Sequence, residues 1–165
     1  MLAYRHAFHA GNHGDVLKHA TLVHLVDHLN LKDKGYRVVD THAGAGAYAL
    51  GARQARLNRE HAGGIQRLWN AEGLPPLLQR YVERVREFNT GPTLRQYPGS
   101  PELVRQLMRA QDQLRVFELH ATDHGLLSGR MRGDPRVELR PADGFQQMKS
   151  QLPPPTRRGL VLIDP

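Results

Sequence analysis

From Asp15 onward, apolar residues recur three or four apart at Val16, Ala20, Val23, Val26 and Leu29, with polar residues between them. That is the signature of a helix with one face on a core. The spacing predicts a helix to about Leu31, ending near Lys34-Gly35, where glycine is a natural stop. A β-branched run from Tyr36 to Asp40 follows and reads as a buried strand. It breaks into Thr41-His42-Ala43-Gly44-Ala45-Gly46. A Cβ in such a turn would hold the backbone off a ligand crossing the strand end, and glycine also takes positive φ. Gly44 and Gly46 therefore read as a cofactor loop.

Beyond Tyr48 the pattern changes. Residues 51–95 hold many arginines, among them Arg53, Arg56, Arg59, Arg80, Arg84 and Arg86, together with Trp69 and a helical stripe of Leu78, Tyr81, Val82, Val85 and Phe88. This predicts a small helical insertion on the sheet's edge, with residues 1–50 and 96–165 forming the main domain. Tyr97-Pro98-Gly99-Ser100-Pro101 reads as a helix start, since serine caps free N–H groups and proline suits the first turn. A strand over 114–119, a helix over 123–132, a strand over 137–140, a helix from Phe145 to about Lys149 and a strand over 159–163 complete the alternation. Strand and helix in turn predict an open α/β sheet, whose ligand lies beyond the carboxyl ends of the strands. The chain stops as its last strand reaches that end, so a sheet truncated at its carboxyl side is expected.

Charge narrows the partner. Twenty-three Lys+Arg against sixteen Asp+Glu give +7 with ten histidines uncounted, which points to a polyanion, nucleic acid first. No apolar run is long enough to span a membrane, and no signal-peptide pattern opens the chain. The lack of cysteine excludes disulfides and thiolate metal sites and fits a cytoplasmic protein. His6, His9, His13 and His19 have ligand-like spacing, but zinc without cysteine needs three or four converging imidazoles and no H-E-x-x-H occurs. No metal is expected. His6, His9 and His13 are read as ordering the amino-terminal arm, and Tyr4, Arg5 and Phe8 as a clamp for an unstacked base.

Four strand ends offer chemistry: the Asp40–Gly46 loop, Glu118, Asp143-Gly144 and Asp164-Pro165. A carboxylate ending the second strand, Glu118, suits the two ribose hydroxyls of an adenosine cofactor. Asp143 suits an adenine amino group, with Gly144 letting the ring approach. A nicotinamide site would prefer a third glycine where Ala49 stands and an acid about 20 residues on. The two departures together favour an S-adenosylmethionine site.

The chain closely resembles the 23S ribosomal RNA adenine-N6 methyltransferase family RlmJ. The resemblance runs through Tyr4-Arg5-His6, Phe8-His9-Ala10-Gly11-Asn12-His13, Asp15-Val16-Leu17-Lys18-His19, the Asp40–Gly46 run, Tyr97–Pro101, Ala142–Gln147 and Arg158–Pro165. It implies a Rossmann-like methyltransferase fold with a helical insertion, S-adenosylmethionine as cofactor, and one adenine of protein-free 23S rRNA as substrate for a monomeric enzyme. It further implies that His19, His42, Ser100, Glu118, Asp143, Gly144 and Asp164 contact the cofactor, that Asp164 is catalytic, and that Tyr4 contacts RNA. The family motif continues as Asp-Pro-Pro-Tyr, whereas this chain stops at Pro165. The alternatives are a non-catalytic RNA- or nucleotide-binding fragment and a DNA adenine-N6 methyltransferase.

Overall fold

A computed structural model of the chain describes residues 6–52, 55 and 59–165. After a 3₁₀ turn at His6–Phe8 come α1 (His13–Asn30), β1 (Arg37–Asp40) and β2 (Ala47–Ala49). A second 3₁₀ turn, Glu60–Gly63, leads into α2 (Ile65–Trp69), α3 (Pro76–Phe88), β3 (Gln96–Pro98) and α4 (Ser100–Leu107). The chain continues through β4 (Gln113–Phe117), α5 (Ala121–Met131), β5 (Val137–Arg140), α6 (Gly144–Gln151) and β6 (Gly159–Leu162).

Four strands form one parallel sheet in the order β5-β4-β1-β6. Val38 stands opposite Leu114 on one side and Leu160 on the other, and Val116 opposite Leu139. Val38, Val39, Leu114 and Val116 are fully buried, as a central parallel strand covered on both faces requires. The chain steps outward from β1 to β4 and β5, then returns to the far side of β1 as β6. This reversal places the switch in strand order between β1 and β6, where such sheets hold their ligands. The α/β fold read from the sequence is the fold observed.

Helix α1 begins two residues earlier than its apolar pattern, because the Asn12 side chain accepts the Asp15 backbone N–H at 2.8 Å and caps it. Helix α3 departs from expectation more. It lies against α1 and α4 rather than on the sheet's edge, and its Tyr81, Val82 and Val85 join the same apolar core as Val38 and Leu114. A bidentate pair from Arg80 to Asp27, at 2.7 and 3.0 Å, fixes it to α1. The antiparallel pair β2–β3, with Tyr48 opposite Tyr97, has no counterpart in the sequence reading. Strands of three residues are too short to show a period.

Candidate active site

The loop after β1 turns on two glycines in the left-handed region, Gly44 at φ 61° and Gly46 at φ 79°. A Cβ on Gly44 would sit 2.2 Å from the Tyr48 hydroxyl, which itself accepts the Ala45 N–H at 3.2 Å. Glycine is thus required here by a packed tyrosine as well as by backbone conformation. The loop is pinned from the neighbouring strand, since the Gly44 N–H donates to Glu118 Oε2 at 2.8 Å. Glu118 Oε1 accepts from the His120 N–H at 2.7 Å, so both carboxylate oxygens are oriented.

Beside this loop opens a cavity of about 440 Å³ at the carboxyl ends of the strands. His19, His42, Ser100 and Glu118 line it, as do Asp143, Gly144 and Asp164. The structure therefore brings together every predicted site residue it describes. Tyr4 lies outside the described residues, as do Arg5, Arg53 and Arg56.

One predicted detail differs. Ser100 does not cap α4: it is the first helical residue, and its hydroxyl donates to Asp40 Oδ2 at 2.6 Å. Gly144 leaves room for protein backbone, because a Cβ there would lie 2.3 Å from the Thr41 carbonyl oxygen. Asp143 caps α6 through Oδ1, which accepts from Phe145 and Gln146 N–H groups at 2.9 and 3.2 Å, while Oδ2 takes no part in either bond.

The electrostatics centre on residues the periodicity had placed on a polar helix face. Asp15 is buried, and its carboxylate accepts from the Gly11 N–H at 2.8 Å, from His6 Nε2 at 2.9 Å and from Lys18 Nζ at 2.9 Å. Burial alone would raise the Asp15 carboxyl. The His6 hydrogen bond, with the nearby His19 and His6 rings and the Lys18 ammonium, outweighs burial and holds it well below the usual carboxylate range. Lys18 also pairs with Asp164, so one ammonium bridges a buried and a half-exposed carboxylate. Burial opposes that charge, yet the two acids leave the Lys18 pKa above its ordinary value.

His19 is fully buried and pushed down to about 3 by desolvation, which keeps its ring neutral at neutral pH. Its Nδ1 meets the Tyr97 hydroxyl at 2.7 Å, and Tyr97 meets the Tyr81 hydroxyl at 2.9 Å. A chain of hydrogen bonds thus runs from the cavity wall into α3. Asp40 is buried as well, and desolvation lifts its pKa to about 6 despite the Ser100 and His42 bonds. Sequence reasoning missed Asp15 and Lys18 as site components, although they stand three apart on one helix face, a spacing that brings side chains together. Among the arm histidines, His6 binds Asp15 and His9 Nδ1 meets Glu60 at 2.8 Å, whereas His13 is exposed at the start of α1. No group of three potential metal ligands occurs among the described residues. Nor is any helix among them long and apolar enough to cross a membrane.

Comparison with known proteins adds a family. The sequence profile described as "RsmJ: Ribosomal RNA large subunit methyltransferase D, RlmJ" matches residues 33–165. Over its whole length the chain is 50% identical to ribosomal RNA large subunit methyltransferase J of Escherichia coli (strain K12). It is 45% identical to the protein of the same name from Haemophilus influenzae (strain ATCC 51907 / DSM 11121 / KW20 / Rd). The chain spans 59% of the length of each of these relatives. A crystal structure of a Legionella pneumophila (str. Philadelphia 1) protein superposes with a TM-score of 0.87 at 38% identity, covering 95% of this chain and 58% of that one.

Proposed function

The chain belongs to the RlmJ family of ribosomal RNA large subunit methyltransferases, and on that premise we propose that it methylates the N6 amino group of one adenine in protein-free 23S rRNA. The cofactor in this reading is S-adenosylmethionine. The observation that supports it best is that Glu118, Asp143 and Asp164, from three different strand ends, line one cavity beside the glycine loop.

The donor set of the cavity fits an adenosyl group carrying a charged amino-acid tail. Glu118, already oriented by two backbone N–H groups, keeps lone pairs for ribose hydroxyls. Asp143 has its second oxygen for an adenine amino group. Neutral His19, His42, Ser100 and the Gly144 backbone supply the remaining polar contacts. When bound, this cofactor supplies an electrophilic methyl group.

Asp164 acts on the other reactant. The lone pair of an adenine N6 is delocalised into its ring and attacks poorly. The Asp164 carboxylate and the Pro165 carbonyl both accept from amino hydrogens, which draws the nitrogen toward a tetrahedral shape and stabilises the positive charge that develops there. Lys18 keeps the Asp164 carboxylate oriented before the base arrives, and Asp15 shares the ammonium so that Asp164 does not neutralise it alone.

The test is transfer of labelled methyl from the cofactor to protein-free 23S rRNA, with the E. coli relative as positive control and calorimetric titration of the cofactor alongside. Asp164→Ala, in this chain and at the matching position of the control, should abolish transfer and leave the fold intact. Retained transfer would remove Asp164 from its role. Duplex DNA that competes with rRNA as the better methyl acceptor would redirect the substrate assignment.

A further inference from the structure

A second concavity, of about 770 Å³, lies against the helical insertion and shares no lining residue with the first. Its floor is apolar: Leu50 and Trp69 are buried and Leu94 half-buried. The tryptophan is fixed, with Nε1 donating to the Pro92 carbonyl at 2.9 Å and the Arg86 guanidinium 5.7 Å from its ring centroid. Around the rim stand the exposed side chains of Gln66, Asn70, Arg95 and Gln96. No acidic residue lines the site, and Arg95 has no carboxylate partner among the described residues.

An apolar floor, amide groups able to donate and accept, and an unneutralised guanidinium suit a nucleotide, whose base stacks or packs while its phosphate seeks a cation. An acid-free lining disfavours cationic ligands. The strand pair β2–β3 ties this site to the first. Tyr48 and Gly99 line the first cavity, while Ala49 and its cross-strand partner Gln96 line the second.

We propose that the second cavity binds a nucleotide of the RNA strand close to the target adenine, its base over Leu50, Trp69 and Leu94 and its phosphate against Arg95. The identity of the polymer rests on the rRNA methyltransferase reading given above; the ligand chemistry rests on the cavity itself.

The probe is a fluorescein-labelled, adenine-containing single-stranded oligoribonucleotide of about twelve nucleotides, within the ~4–16 that a single-strand site covers. Anisotropy titrations at several salt concentrations compare the chain with Arg95→Ala and with the double substitution Gln66→Ala/Asn70→Ala, all at exposed positions. Arg95→Ala should weaken binding about tenfold at low salt and reduce the slope of log K against log salt by ~0.7, the loss of one phosphate contact on a single strand. The double substitution should weaken binding about fivefold with the slope unchanged, since neutral amides release no counterion. Ultraviolet cross-linking of the oligonucleotide should label peptides spanning residues 66–70 and 92–96. Absence of RNA binding, unchanged affinity and slope in Arg95→Ala, or cross-links confined to other peptides would overturn the proposal. Cofactor calorimetry on the same samples separates the two readings. Intact cofactor binding with RNA binding indifferent to Arg95 sinks this site alone, whereas Arg95-dependent RNA binding without cofactor binding sinks the methyltransferase reading.

Discussion

Replacing Asp40 by Asn tests the electrostatics beneath the cofactor loop. Asp40 is 1% exposed, and desolvation raises its pKa from 3.8 to about 6. The unfolded chain releases this proton near pH 4, but the folded protein holds it to about pH 6. The associated stability is therefore complete below pH ~4 and lost as pH rises through ~6. At about 1.4 kcal/mol per pH unit, the gap amounts to ~3 kcal/mol withdrawn from the folded state at neutral pH. Asn removes that titration while keeping the shape. Its carbonyl oxygen can take the His42 N–H, and its amide can donate to the Ser100 hydroxyl once that hydroxyl rotates.

Urea unfolding of both proteins, followed by circular dichroism from pH ~4 to ~8, measures the difference directly. The Asn protein should gain ~3 kcal/mol relative to the parent between pH 4 and 7, and most of the gain should fall below pH 6. Histidine titration, present in both chains, largely cancels in the comparison. A difference flat to within ~0.5 kcal/mol across the range would refute the reasoning, because a buried carboxylate paying no desolvation penalty is not the group described here.

Asp15 should behave with the opposite sign. Its depressed pKa makes its contribution complete above pH ~4 and lost as pH falls further, so Asp15→Asn should flatten the acid limb of stability measured by thermal melts between pH ~2 and ~5. Asp15→Ala, which strands buried donors, should cost ~3–5 kcal/mol by the same melts, against under ~1 kcal/mol for Asp164→Ala at its half-exposed pair. Tyr97→Phe leaves His19 Nδ1 without its hydroxyl partner and should lose ~1–3 kcal/mol in urea unfolding, with weaker cofactor binding by calorimetry. Gly144→Ala forces a Cβ to within 2.3 Å of the Thr41 carbonyl oxygen and should destabilise by ~1–3 kcal/mol, seen as a lowered melting temperature.

The parallel sheet was legible because its strands are short stretches carrying Val or Leu that each end in an acid or a turn, as at Val38-Val39-Asp40 and Leu160–Asp164. The pocket acids were legible for the same reason, since topology alone carries strand ends to one edge. What could not be read was which polar groups spend themselves on one another. Ser100 suited a helix cap on local grounds, but Asp40, sixty residues earlier in the chain, claims its hydroxyl. Asp15 and Lys18 looked like an ordinary solvated helix face until the amino-terminal arm, through His6 and Gly11, closed over the carboxylate. Nor could sequence tell that Tyr81 and Tyr97 would touch, because their meeting depends on α3 packing against β3. Local pattern records the elements; long-range polar pairing is settled only once they pack.

The sequence contains a single tryptophan, and the fold sets it in the floor of the second concavity with its indole N–H already committed to a carbonyl. These 165 residues accordingly carry one built-in optical reporter, at Trp69. Emission excited selectively from Trp69 should quench or shift when a nucleobase settles above Leu50 and Leu94, and stay unchanged when only the cofactor cavity fills. No dye need be attached to tell the two events apart.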